Sequence, residues 1–149
     1  MPTSLTEKYL TALHECSSGG EASAVEIVDA LLSSAQAAGV SDVHLIPEAY
    51  GSWVCWRIDG VLHEVTRIGA EIAPNVVARL KVLAELLTYR TEVPQEGRIR
   101  TEGSAAAEAE GNSEGGSGEA SRHGVSSNNH PAEMRLSTFP TLYGEKAVV

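Results

Sequence analysis

Apolar positions recur along this chain with two alternating periods. From Val25 they fall at helical spacing, through Val28, Leu31, Leu32, Ala35 and Ala38, and Gly39 supplies a left-handed stop. Ser23 stands three residues before Glu26, the pattern in which two side chains satisfy each other's orphan backbone donors at a helix start. An amphipathic helix is therefore expected to open at Ser23. The period then shortens to two. "SDVHLIPEA" reads as a first strand, and "GSWVCWRIDGVLHEVTRI" as a hairpin whose Asp59-Gly60 pair tolerates the positive φ of a type I′ turn. Alternation puts Val54, Trp56 and Ile58 on one face of the first arm and Trp53, Cys55 and Arg57 on the other, so at least one face is buried.

Helical spacing returns after Pro74, which suits a first turn because its missing donor would be unpaired there anyway. Val77, Leu80, Leu83, Ala84 and Leu87 form the predicted stripe of this second helix. "VPQEGRIR" leads through Pro and Gly into another strand, and "EMRLSTFPTLYGEKAVV" holds two more segments joined by a turn over Pro140 to Glu145. Two stretches have neither period. Residues 1–22 read as a flexible or partly helical lead-in. The segment at about 102–131 is so rich in Gly, Ser, Ala and Glu that burial would not repay its ordering, and it is expected to be a long disordered insertion. Hairpins with two main helices set to one side predict an α+β domain over 23–149 with a mostly antiparallel sheet.

Composition adds limits. The 149 residues suffice for one ordinary domain, and no apolar run approaches the roughly 20 residues of a membrane span. The start lacks a basic, apolar secretory signal, which predicts a cytoplasmic protein. Cys16 and Cys55 are far apart and form neither a disulfide framework nor a ligand pair; both are expected to be reduced. A net charge of -9 argues against direct nucleic-acid binding. Much of that charge is local, since Glu102, Glu108, Glu110, Glu114, Glu119 and Glu133 face a single base, Arg122, within one stretch.

The chain has no G-x-x-x-x-G-K-[ST] loop, no G-x-S-x-G elbow, no H-E-x-x-H helix and no C-x-x-C pair, so no residues for catalysis within this chain are visible. His44 and His63 fall on strands without a carboxylate or thiolate at ligand spacing, so no metal is expected. Asp42 and His44 share a strand face, where they are expected to hydrogen-bond within the sheet or to cap the preceding helix. The arginines are more informative. If the insertion only loops out, the strands carrying Arg98 and Arg135 pair as neighbours and present two guanidiniums side by side, an arrangement suited to phosphate. The alternative is pairing with surface acids such as Glu64 or Glu96.

Read in order, "SDVHLIPE", "WRIDGVLHEV", "ARLKVLAEL", "VPQEGRIR" and "MRLSTFPTLYGEKAVV" resemble the domain preceding the motor domain in the ATPases of type II secretion systems and type IV pili. The resemblance runs from about Val25 to Thr101 and resumes from Ala132 to Val149. It implies a PAS-like α+β module, with the apolar run Ala147 to Val149 leading into a motor domain that this sequence does not contain. It further implies a homo-oligomeric, hexameric ring in which Arg98 of "PQEGR" and Arg135 of "MRLST" contact nucleotide in trans, with ATP and Mg bound by the separate motor domain. Inner-membrane platform proteins of the secretion or pilus apparatus are the implied partners, giving a peripheral position at the inner membrane through them. The sequence departs from the family in having Thr91 and Glu92 where many members carry basic residues, with Arg90 slightly earlier, and in having Glu96 for the commoner Asp. Two functions remain open at this point: an assembly and nucleotide-sensing domain inactive alone, or a free-standing PAS-like adaptor that binds the machinery without contributing to hydrolysis.

Overall fold

The computed structural model describes residues 23–100 and 133–149; the lead-in and the expected disordered insertion lie outside the described residues. Helix α1 spans Ala24–Ala37, followed by strands β1 (Asp42–Glu48), β2 (Gly51–Ile58) and β3 (Val61–Gly69), helix α2 (Ala73–Leu83), and strands β4 (Gln95–Arg100), β5 (Glu133–Thr141) and β6 (Gly144–Val148). The six strands form one sheet in the order β3-β2-β1-β6-β5-β4. Every neighbouring pair is antiparallel. This is the α+β class that the periodicities predict.

The capping box forms as expected. Glu26 N–H donates to Ser23 Oγ at 3.3 Å, and Ser23 N–H donates to Glu26 Oε2 at 2.8 Å. Gly39 closes α1 in the left-handed region at φ 68°. Ser23→Ala is expected to cost about 1 kcal/mol of stability, read as a lowered urea midpoint at unchanged slope. The buried face of α1 keeps Val28, Leu31, Leu32 and Ala35 of the predicted stripe and adds Ile27 and Ser34, while Val25 is 41% exposed and Ala38 half-buried. The core face of the helix is thus turned towards the Ile27 side.

Asp59 and Gly60 both have positive φ, 50° and 80°, and form the two-residue connection between Ile58 and Val61. A register shift beside Val54 and Cys55 leaves Val65 without a cross-strand partner. Gly51 is the other position where glycine is required: at φ 147° a Cβ there would lie 2.2 Å from the Ile68 carbonyl oxygen. Helix α2 starts with proline in its first turn, as predicted, and ends where Glu85 enters the left-handed region at φ 58°. That early end leaves Leu87, assigned to the stripe by periodicity, beyond the helix and 46% exposed. The turn between β5 and β6 is tighter than the predicted span, because Pro140 and Glu145 are already paired and only Leu142 and Tyr143 connect Thr141 to Gly144.

One core joins the two helices to one face of the sheet. Val28, Leu31, Val76 and Leu80 pack with Val54, Trp56, Leu45, Ile99, Leu136 and Ala147. Alternation then sends Asp42, His44, Trp53, Arg57, Lys146, Arg98 and Arg135 to the opposite face, which no helix covers among the described residues. The final residue is integrated into the sheet: Val149 and Val43 exchange both backbone hydrogen bonds, at 2.8 and 2.9 Å.

Candidate functional site

Register decides the site. β4 and β5 pair so that Arg98 lies directly opposite Arg135, with Arg100 opposite Glu133 and Glu96 opposite Ser137. The residues between them, Ile99 and Leu136, are buried, so the hydrophobic demand of the core fixes which way the arginines point. Arg98 and Arg135 are both exposed on the open face. Like charges placed directly opposite are unfavourable in an antiparallel pair. Here a carboxylate moderates the repulsion, as Arg98 Nη1 lies 2.9 Å from Glu133 Oε1, with the two side chains 62% and 53% exposed. Arg135 has no ion pair among the described residues.

Neither acid considered as a competitor from sequence is the partner. Glu64 lies on β3, at the far edge of the six-strand sheet, and Glu96 makes no ion pair among the described residues. The acid that does pair, Glu133, sits two residues from Arg135 and was legible only through that i, i+2 relation once β5 was placed. Arg100 is a second residue that sequence reasoning missed, although its spacing from Arg98 puts both on one face of β4.

The strand bearing Arg98 is held from below and from its start. Gly97 faces the helices, where a Cβ would come 2.6 Å from the Ala84 carbonyl oxygen and 2.9 Å from Leu86 Cδ2. The backbone of β4 thus runs close against the end of α2. Gly97→Ala must push the two apart and is expected to cost about 1–3 kcal/mol, checked by chemical denaturation. Gln95 fixes the preceding loop with its carboxamide: Oε1 accepts from Leu87 N–H at 3.0 Å, and Nε2 donates to the carbonyls of Leu87 and Arg90, both at 2.9 Å.

A buried charge completes this support. Lys81 on α2 is fully buried, lies 2.6 Å from Glu145 Oε2, and donates to the Arg90 carbonyl at 2.8 Å. It ties α2, the loop before β4 and the β5–β6 hairpin to one ammonium group. Periodicity gave no sign of it, since Lys81 simply occupies a position adjacent to Leu80. Arg90 contributes its backbone carbonyl here, while its side chain pairs with Glu92 at 3.3 Å.

The expected Asp42–His44 contact does not form. The Asp42 carboxylate takes Arg57 at 3.3 Å and the Ser41 hydroxyl at 2.9 Å, because Arg57 is its direct cross-strand partner. Both His44 ring nitrogens are shielded from solvent without a hydrogen-bond partner. Burial, followed by the nearby Lys146 and Arg57 charges, lowers the pKa of His44 below the usual imidazole value. Cys55, directly opposite His44, is a buried free thiol whose pKa is raised by burial and then by Glu64 and Glu48. No group of three His, Cys, Asp or Glu residues fit to hold a metal occurs among the described residues.

The arrangement is a scaffold presenting two opposed guanidiniums, of the kind used to recognise phosphate. Comparison with known proteins gives it a family. Residues 17–107 match the family described as Type II/IV secretion system protein, and the chain belongs to that family. It is 34% identical over 125 residues to the type IV pilus assembly ATPase TfpB of Acinetobacter baylyi, a match covering 84% of this chain and 17% of that relative. It is 32% identical over 129 residues to the type IV pilus assembly ATPase PilB of Pseudomonas aeruginosa, covering 87% of this chain and 19% of the relative. Type II secretion system protein E of Pectobacterium carotovorum is 29% identical over 133 residues, covering 87% and 21%. The chain therefore spans about a fifth of the length of these curated relatives.

Proposed function

We propose that this chain is the domain preceding the motor domain of a type II secretion or type IV pilus ATPase, and that it assists nucleotide turnover in trans. Arg98 and Arg135 meet the terminal phosphate of ATP held with Mg by a motor domain of a neighbouring subunit in a hexameric ring. The chain alone does not hydrolyse ATP. The observation that carries the reading is the direct cross-strand opposition of two exposed guanidiniums on a sheet face that no helix covers among the described residues, with a carboxylate partner there for Arg98 and none for Arg135. Guanidinium forks donate parallel hydrogen bonds to phosphate oxygens, and such groups neutralise charge that develops at a γ-phosphate.

Exposed apolar tips favour a domain packed against others over a free-standing adaptor. Tyr50 is 82% exposed, Tyr89 77%, Leu142 89% and Tyr143 57%. The β1–β2 and β5–β6 turns that carry three of them lie at the same end of the sheet. Contacts of this kind with neighbouring subunits and with inner-membrane platform proteins give a cytoplasmic domain held peripherally at the membrane. No helix among the described residues is long and apolar enough to cross a bilayer. The test compares ATP turnover by a motor domain with and without this chain joined ahead of it. Acceleration by the joined chain supports the reading, and equal turnover refutes it.

A further inference from the structure

Beside Arg98 and Arg135, the same face of the β4–β5 ribbon carries Arg100, Glu133 and Glu96. Arg98 opposes Arg135, Arg100 opposes Glu133, and the two pairs are adjacent on one face. One carboxylate therefore lies among three guanidiniums: bonded to Arg98 at 2.9 Å, across the ladder from Arg100, and two residues along its own strand from Arg135. Guanidiniums bind oxyanions, and in this structure Glu133 supplies one to Arg98, while Arg100 and Arg135, its neighbours across and along the ladder, make no ion pair among the described residues.

We propose that Glu133 is a resident counter-ion that an incoming phosphate must displace from Arg98, and that Arg100 is a third phosphate-binding residue. The inference rests on the phosphate-contacting reading of Arg98 and Arg135 and adds to it a built-in competitor and a further ligand. In the unliganded domain the carboxylate neutralises part of the guanidinium cluster and lets β4 and β5 pair despite the opposed arginines. A terminal phosphate carries more charge and more acceptor oxygens than one carboxylate. It therefore takes Arg98 and Arg135 together and releases Glu133 towards Arg100 or solvent. Because both partners of the Arg98–Glu133 pair are more than half exposed, solvent screens the pair and the exchange is shallow.

The test uses the 149-residue chain and inorganic tripolyphosphate, titrated calorimetrically at low ionic strength. Glu133→Gln is expected to tighten binding roughly two- to fivefold, the range set by an exposed ion pair. Arg100→Ala is expected to weaken binding several-fold. Removing any negative charge helps an anion bind, so Glu96→Gln is the control, since Glu96 shares the same face of β4 and makes no ion pair among the described residues. The inference requires the Glu133→Gln gain to exceed the Glu96→Gln gain. Equal gains, or an unchanged affinity in both Glu133→Gln and Arg100→Ala, overturn it. Arg98→Ala and Arg135→Ala separate the two levels of the argument: if they abolish binding while Glu133 and Arg100 prove silent, only the present inference fails, and if they leave binding intact, the underlying phosphate reading fails with it. Binding seen in Glu133→Gln but below detection in the wild type supports displacement, and its absence from both overturns both.

Discussion

Arg98→Ala and Arg135→Ala, each placed in this chain joined ahead of a motor domain, are expected to lower ATP turnover by about a thousandfold. That is the low end of what a charge-stabilising arginine contributes to phosphoryl transfer, and it corresponds to about 4 kcal/mol of barrier. The low end is taken because the two arginines are exposed, where water screens their charge. Lysine at either position should restore only part of the loss, since a point charge does not reproduce the planar fork that holds two phosphate oxygens. The double variant is expected to be little worse than either single one, as the two guanidiniums act on the same group. Both side chains are exposed, so thermal unfolding of the variants should match that of the parent. The measurement is steady-state phosphate release; unchanged rates in both variants would remove the arginine assignment.

Glu145→Ala is expected to have the largest effect on stability, about 3–5 kcal/mol, because it leaves the ammonium of Lys81 buried without its counter-charge. The Arg90 carbonyl still accepts from Lys81, but a neutral dipole does not offset a full charge in that surrounding. Lys81→Met should be milder. It removes the charge together with its desolvation cost, and Glu145, with 9% of its side chain exposed, can turn towards solvent at the hairpin. Urea denaturation distinguishes the two, and a loss below about 1 kcal/mol for Glu145→Ala would show that the pair is not the clamp described here. The same variant should loosen the loop before β4, since Lys81 holds the Arg90 carbonyl that Gln95 also grips. Reduced turnover in the joined protein would then follow from a displaced Arg98.

The two predictions concern the same strand from opposite faces. On one face of the sheet β4 exposes Arg98 and Arg100; on the other, Gly97 lets the strand approach the Ala84 carbonyl, and Lys81 fixes the loop that feeds it. The rigid base beneath β4 fixes its register, and Glu133 moderates the repulsion between the opposed arginines.

Much of this was readable beforehand where the signal is local. The Ser23–Glu26 box, the Gly39 stop, the Asp59-Gly60 turn and the proline in the first turn of α2 depend on residues within one turn of each other, and each formed as its chemistry requires. Errors arose where periodicity had to stand in for tertiary contact. Val25 fits a helical stripe as well as Ile27 does, and only tertiary packing chooses between them. Leu87 continues the α2 pattern, yet the left-handed turn at Glu85 ends the helix before it. Asp42 and His44 share a face, but the cross-strand position of Arg57 claims the carboxylate.

The amino-acid sequence by itself determined the helices, the strands and the side of β4 and β5 on which the arginines fall, because alternation of apolar and polar residues acts over a few bonds and needs no partner. Tertiary structure alone decided that Arg98 stands opposite Arg135, that Glu133 takes Arg98, and that Lys81 is sealed inside with Glu145. Those outcomes depend on the register of strands separated by more than thirty residues and on which neighbours exclude water, quantities that exist only once the sheet has closed over its core.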